Sequence, residues 1–252
     1  MNFVGPKNIF SAIFAASLPE ELKQNFSVQP SSMLSKELET GKADIGFIPS
    51  CDLINHKDFF VSKKIAISFD GLLSNSYIYF APEKVLIKDV LLRGDVSVNE
   101  IILSKILFSE RFNSEVDISL DTASLDLDNK NYIIAGNDNF DKDLFNTGTS
   151  FADNMAEMLD FPYVNYVLAA KDESAITAFT KNLTEWDKRI EDKIDPMLSL
   201  LNLPADVIDF IKMNLNSVYF EMTDNEITAL NELLNVIYYR GIIDDIIETK
   251  LI

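Results

Sequence analysis

Few residues of this chain have the type and setting to do chemistry. Among its 252 residues there is one histidine, His56, and one cysteine, Cys51. That count excludes a Cys–His zinc site and leaves any histidine-based catalytic triad with His56 alone. No cation stands near Cys51 to lower its thiol pKa, so inert packing is expected there. His56, between Asn55 and Lys57 in a polar stretch, reads as solvated. The run Asn137-Asp138-Asn139-Phe140-Asp141 hints at calcium ligands. It lacks the turn glycine and closing glutamate of an EF-hand loop, so a solvated acidic loop is expected. Small neutral polar groups remain, and these hold and orient a small molecule rather than attack it. Ser97, Val98 and Asn99 open a helix, where backbone N–H groups could bind a carboxylate, or Ser97 could simply cap that helix. Asn8 could likewise be only an N-cap, Ser74-Asn75-Ser76 could be hinge-loop residues, and Lys7 reads as exposed.

The elements that would position these groups follow a βα rhythm. Asn2–Gly5 reads as a strand, Asn8 caps a helix to about Ser17, and Phe26–Val28 is a second strand. Pro30-Ser31 opens a helix to Thr40 that Gly41 stops, and Ala43–Ile48 is a buried strand ending at Pro49-Ser50. This order implies parallel strands with helical crossovers. Ile65–Ser68 and Tyr77–Phe80 follow as strands, then Val90–Leu92, a helix over Asn99–Phe112, and strands at Val116–Leu120 and Tyr132–Ala135. Ser150–Leu159 is helical and Tyr163–Ala169 is a strong strand. Beyond Asp172 the pattern turns helical. Glu173–Ile194 reads as one long amphipathic run, Asp195-Pro196 restarts the chain, and Thr223 with Glu226 forms a capping box before Ile227, Leu230, Leu233, Leu234 and Ile237. The plan is an α/β chain of two lobes: 1–76 begins lobe one, 77–167 is an inserted lobe two, and 168–252 is a helical return completing lobe one. In open parallel sheets a ligand sits beyond the carboxyl ends of the strands. Those ends hold Gly5–Asn8, Pro49-Ser50-Cys51, Asp70–Ser76, Ser97–Asn99 and Gly136–Asp138.

Composition narrows the partners. The formal charge is -18, from 22 Lys plus Arg against 40 Asp plus Glu. Nucleic acid needs a basic surface and anionic membrane would repel this one, so neither is expected as a partner. The apolar segment Ile9–Ala16 is too short for a membrane span and reads as part of a strand-turn-helix rather than an export signal. A single cysteine fits a reducing compartment, and a cytoplasmic location is expected.

The ordered set of turns resembles the chorismate dehydratases of the futalosine route to menaquinone. The motifs are Gly41-Lys42-Ala43-Asp44-Ile45-Gly46-Phe47-Ile48-Pro49, Asp70-Gly71-Leu72-Leu73-Ser74-Asn75-Ser76, Ser97-Val98-Asn99-Glu100, Ala135-Gly136-Asn137 and Asp160-Phe161-Pro162-Tyr163-Val164. The resemblance implies a type II periplasmic-binding-protein-like fold with mixed sheets and a helical C-terminal segment. It implies a carbon–oxygen lyase that takes water from chorismate, a small anionic substrate, to give 3-[(1-carboxyvinyl)oxy]benzoate, with no cofactor and no metal. Carried over by position, it makes Asn8 and Asn75 the catalytic candidates. Ser50, Ser74, Ser76, Ser97, Val98, Asn99, Gly136 and Asn137 become substrate-binding. Holding and drying the substrate can supply about 7–11 kcal/mol of such a barrier.

Two departures stand out. The first loop, Gly5-Pro6-Lys7-Asn8, lacks the family's later proline, and Asn99-Glu100 replaces a Thr-Ser pair. A glutamate where a dianion would dock is unfavourable unless it turns away or stays protonated. The alternative function is a non-catalytic binder of a small anionic or aromatic molecule on the same fold. The sister naphthoate synthase would need a base, for which His56 is poorly placed. A monomer and a homodimer fit the sequence equally.

Overall fold

The computed structural model describes residues 1–82, 86–141, 144–181, 183 and 185–252. Strand β1 (Phe3–Pro6) leads through Asn8 into α1 (Ile9–Ser17) and the short α2 (Glu20–Lys23). Strand β2 (Phe26–Gln29), a 3-10 turn at Ser31–Met33, α3 (Leu34–Glu39) and β3 (Ile45–Pro49) complete the expected unit. β1 pairs in parallel with both β2 and β3, as the intervening helices require. Gly41, at φ +70, ends α3 in the left-handed conformation that costs glycine least.

Strand β4 (Phe60–Phe69) is longer than the Ile65–Ser68 expected. Lys63-Lys64 interrupts its apolar pattern, but both residues are exposed where the register against the neighbouring strand shifts.

The chain then builds a second sheet. Its parts are β5 (Ser76–Tyr79), β6 (Asp89–Gly94), α4 (Val98–Phe112), β7 (Asp117–Leu120), β8 (Asn131–Ala135), α5 (Asp138–Asp141), β9 (Thr149–Ser150) and α6 (Phe151–Leu159). The stretch after Asn137 is not the solvated loop expected. Asn139 and Phe140 are buried, and Asn139 accepts from the Tyr79 hydroxyl and donates to Ile134 and Gly136 carbonyls.

Strand β10 (Tyr163–Ala170) returns to the first sheet and lies between β3 and β4, antiparallel to both. All eight of its residues are buried, which is why its sequence reads as a nearly continuous apolar run. The run 173–194 is not one helix. It breaks into α7 (Glu173–Thr180) and α8 (Trp186–Glu191), with Glu185 left-handed at φ 52. Asp195-Pro196 lies within the first turn of α9 (Ile194–Ser199), where a missing N–H costs nothing. Then come α10 (Ala205–Asn214), β11 (Val218–Glu221), α11 (Asp224–Tyr239) and β12 (Lys250–Leu251). β11 and β12 were not expected. They are too short to show a period, and they exist because they edge β4.

The result is a two-lobed α/β molecule with two mixed sheets. The larger runs β11-β4-β10-β3-β1-β2, with β12 also on β4, and the smaller runs β7-β6-β8-β5-β9. In the larger lobe Phe3 packs on Phe14, Phe26, Phe47 and Phe179, and Phe14 meets Trp186 and Phe220. One ring pair crosses the seam: Phe10 of α1, packed on Phe69 at 4.7 Å, meets Phe140 at 6.3 Å, and Phe140 in turn meets Tyr77 of its own sheet at 6.0 Å. Truncating one such ring typically costs about 3–5 kcal/mol. Among the described residues no helix is long and apolar enough to cross a membrane.

Candidate functional site

The loops at the carboxyl ends of the strands of both sheets meet at one buried polar cluster. Ser31, after β2, sends its backbone N–H to Asp95 Oδ1 at 2.8 Å and its hydroxyl to Oδ2 at 2.7 Å. Asp95 follows β6 of the other sheet, so this contact bridges the lobes. The Tyr166 hydroxyl, from β10, lies 2.8 Å from Ser31 Oγ and 3.3 Å from Asn75 Nδ2. Asn75 stands on the segment that joins β4 to β5, and its carbonyl accepts from Gly136 N–H at 2.7 Å. The Asn8 amide also faces the Tyr166 hydroxyl.

Of the residues expected at a site, several are occupied with structure. Asn99 receives Cys51 N–H on Oδ1 at 2.9 Å and donates to the Asn165 carbonyl at 2.7 Å and side chain at 3.1 Å. Ser50 Oγ donates to the Val164 and Asn165 carbonyls. Ser74 Oγ accepts from Ser76 N–H and Ala152 N–H, tying the crossing segment to α6. Ser97 does cap α4, and Val98 is half-buried. Gly136, at φ +86, turns the chain so closely past Asp95 that a Cβ would lie 3.1 Å from the Asp95 Cβ. Lys7 is exposed, and His56 stacks on Phe59 at 4.7 Å instead of standing free in solvent.

Four buried polar atoms around this cluster have no hydrogen-bond partner among the described residues: Asn8 Nδ2, Ser11 Oγ, Asn75 Oδ1 and Asn137 Oδ1. Asn8 Oδ1 is spent on capping α1 through Ser11 N–H at 2.9 Å, which leaves its nitrogen free. A Cβ on Gly5 would lie 2.6 Å from Ser11 Oγ and 2.9 Å from the Phe26 ring, so any larger residue in β1 there would force one of them to move. Each orphaned buried group costs about 1–3 kcal/mol unless something fills its need. Tyr163 OH, beside Asn99, also lacks a partner of good geometry.

Glu100 shows how the departure from the family turn is accommodated. Its side chain is wholly buried and turned back on its own helix. Oε2 accepts from Ser97 N–H at 2.8 Å and Ser97 Oγ at 2.6 Å, and Oε1 accepts from Ser76 Oγ at 2.7 Å. Burial pushes its carboxyl above the ordinary range, and the bonds from Ser97 and Ser76 pull partly back. Cys51 is buried, and its thiol is pushed well up by burial first and then by Asp52 and Glu100, which makes it a poor nucleophile. Among the described residues no lysine, arginine or histidine pairs with the cluster, and no group of three or more metal-binding side chains is assembled.

Sequence reasoning missed Ser31, Asp95, Asn165 and Tyr166. Asp95 had a signal, a Gly94-Asp95 turn closing a strand two residues before the turn that was noticed. Asn165 was visible as one amide in an apolar strand. Ser31 and Tyr166 carry no local mark, because their role comes from a contact 135 residues apart in sequence.

No protein-family model matches the sequence, and no curated protein matches it. Solved structures share the fold over nearly the whole chain. Protein AF1704 of Archaeoglobus fulgidus has a TM-score of 0.63 at 12% identity, over 96% of this chain and 98% of that one. The alkanesulfonate-binding protein SsuA of Xanthomonas axonopodis pv. citri, bound to MOPS, gives 0.62 at 10%, over 100% and 97%. The CA3427 gene product of Candida albicans, which defines a family with the generic periplasmic binding protein fold, gives 0.60 at 10%, over 97% and 91%. Identities this low speak to architecture alone: the chain has a two-lobed, type II periplasmic-binding-protein-like α/β fold with two mixed sheets and a C-terminal helix.

Proposed function

We propose that this protein binds a small polar molecule between its lobes, against Asn8, Ser11, Asn75 and Tyr166. The observation that carries the reading is the set of orphaned buried polar atoms, Asn8 Nδ2, Ser11 Oγ and Asn75 Oδ1, at a seam between lobes. A ligand supplying their missing partners would relieve several costs at once. The test is a thermal-shift screen of small metabolites on the wild type, Asn8→Asp and Asn75→Ala. Asn8→Asp keeps the oxygen that caps α1 and replaces the free donor with an acceptor that also brings a negative charge. A ligand should raise the wild-type Tm saturably and raise that of each variant far less; equal shifts in all three would refute the site.

The lyase reading on chorismate stands second. It is favoured by Glu100, a buried carboxyl with a raised pKa beside the crossing segment, which suits a proton donor to a departing hydroxyl. Against it, among the described residues no lysine, arginine or histidine is paired with the cluster, and Asp95 adds a negative charge. Incubation with chorismate, without metal or cofactor, followed by mass spectrometry decides it. A product lighter by one water, above the enzyme-free control, supports the lyase; its absence leaves the binder.

A further inference from the structure

We infer that Asp95 permanently fills the carboxylate position of this cleft, so that the site takes an uncharged molecule presenting a hydrogen-bond donor and acceptor side by side, such as a carboxamide or lactam. This deepens the binding function proposed above and rests on it for the ligand.

The argument is one of proton bookkeeping. Ser31 has one backbone N–H and one hydroxyl proton, and both go to the Asp95 carboxylate, at 2.8 and 2.7 Å. Two convergent donors to two oxygens is the arrangement that would recognise a ligand carboxylate. Here the carboxylate belongs to the opposite lobe. With its proton committed, Ser31 Oγ can only accept from Tyr166, so the Tyr166 hydroxyl donates to it across 2.8 Å. Tyr166 O is then left as an acceptor, and the Asn75 group 3.3 Å away must be its nitrogen. The bonds therefore run one way, from Asn75 through Tyr166 and Ser31 to Asp95.

That direction fixes what faces a ligand. Asn75 keeps an acceptor, Oδ1, unpartnered at the seam in a residue only 1% exposed. Asn8 spends Oδ1 on Ser11 N–H, so its remaining donor, Nδ2, lies toward the Tyr166 hydroxyl without a hydrogen bond of good geometry, in a residue 4% exposed. Both amides flank one hydroxyl, that of Tyr166. An amide edge answers both. A carboxylate answers only Asn8, would face Asn75 Oδ1 with a second acceptor, and would sit near the negative charge of Asp95.

The test uses the full chain, wild type and Asp95→Ala, with Asp95→Ser as the alternative should the alanine variant not fold. Thermal unfolding is followed in sodium acetate, acetamide and sodium chloride at matched concentration and ionic strength. The variant should melt several degrees below the wild type. Acetate should restore much of that loss saturably, with at least tenfold greater potency than acetamide, while leaving the wild type where chloride leaves it. If acetate does no more for the variant than chloride, Ser31 is not a carboxylate position. If acetate stabilises the wild type as much as the variant, the position is not filled. Either result overturns the inference. Neither bears on whether Asn8 and Asn75 are needed for ligand binding, so the two readings fail separately.

Discussion

The molecule uses the same local device twice, with different consequences. Ser97–Glu100 and Thr223–Glu226 are both capping boxes, one opening α4 and the other α11. In both, the glutamate takes the cap residue's N–H at 2.8 Å on one oxygen. At α11 the box lies among exposed Thr223, Asp224 and Asn225 and serves its own helix. At α4 it is sealed between the lobes, and the second carboxyl oxygen reaches Ser76 on the crossing segment. A four-residue motif thus specifies a helix start equally well in either place. Only the tertiary surroundings turn one glutamate into a joint between two elements.

Breaking the two boxes in parallel tests this contrast. Glu100→Ala strips the acceptor from three buried donors and should lower the unfolding free energy by ~3 kcal/mol or more in urea titration; Glu226→Ala should cost ~1 kcal/mol. Glu226 is itself 4% exposed, so equal losses would mean that the bond from Ser76 adds nothing to the first box. The acids around the second box give a pH signature of comparable size. Asp187, which accepts from Phe220 and Glu221 N–H, is pushed up to about 6 by burial, then by Glu221 and Glu226. A carboxyl raised in the folded state keeps its proton at pH values where the unfolded state has already lost it, so it favours folding at low pH. Its stabilisation is full below the unfolded value of 3.8 and is lost as pH rises through about 6. The change is about 3 kcal/mol at most, and Asp187→Asn should flatten that part of the stability-pH curve. Glu100 acts in the same direction, so Glu100→Gln should also reduce the fall with rising pH. More finely, Ser76→Ala removes one hydrogen bond to a carboxyl and should cost ~1.5 kcal/mol, against ~1 kcal/mol or less for Thr223→Ala.

Much of the architecture was legible because it is local. The Gly41 stop, the Asn8 cap and the second capping box each rest on residues within one turn of each other. The parallel order of β1, β2 and β3 follows from the helices between them. What escaped was set by distant partners. β12 is two residues long and exists only against β4. The break between α7 and α8 falls in a run whose apolar spacing continues across it. The site shows the same division. The turns carrying Asn8, Asn75 and Gly136 could be read from their strand ends. That Asn99 and Ser50 would be consumed by β10, and that Asp95 would meet Ser31, depends on how the lobes close.

The central claim is that the seam around Asn8, Asn75 and Tyr166 holds a small molecule. Equilibrium dialysis of wild type, Asn8→Asp and Asn75→Ala against a metabolite extract, with mass spectrometry of what each retains, tests it most directly. The account predicts one small compound enriched by the wild type toward equimolar amounts and lost in both variants. Retention of the same compounds by all three proteins, or of none by any, would contradict it.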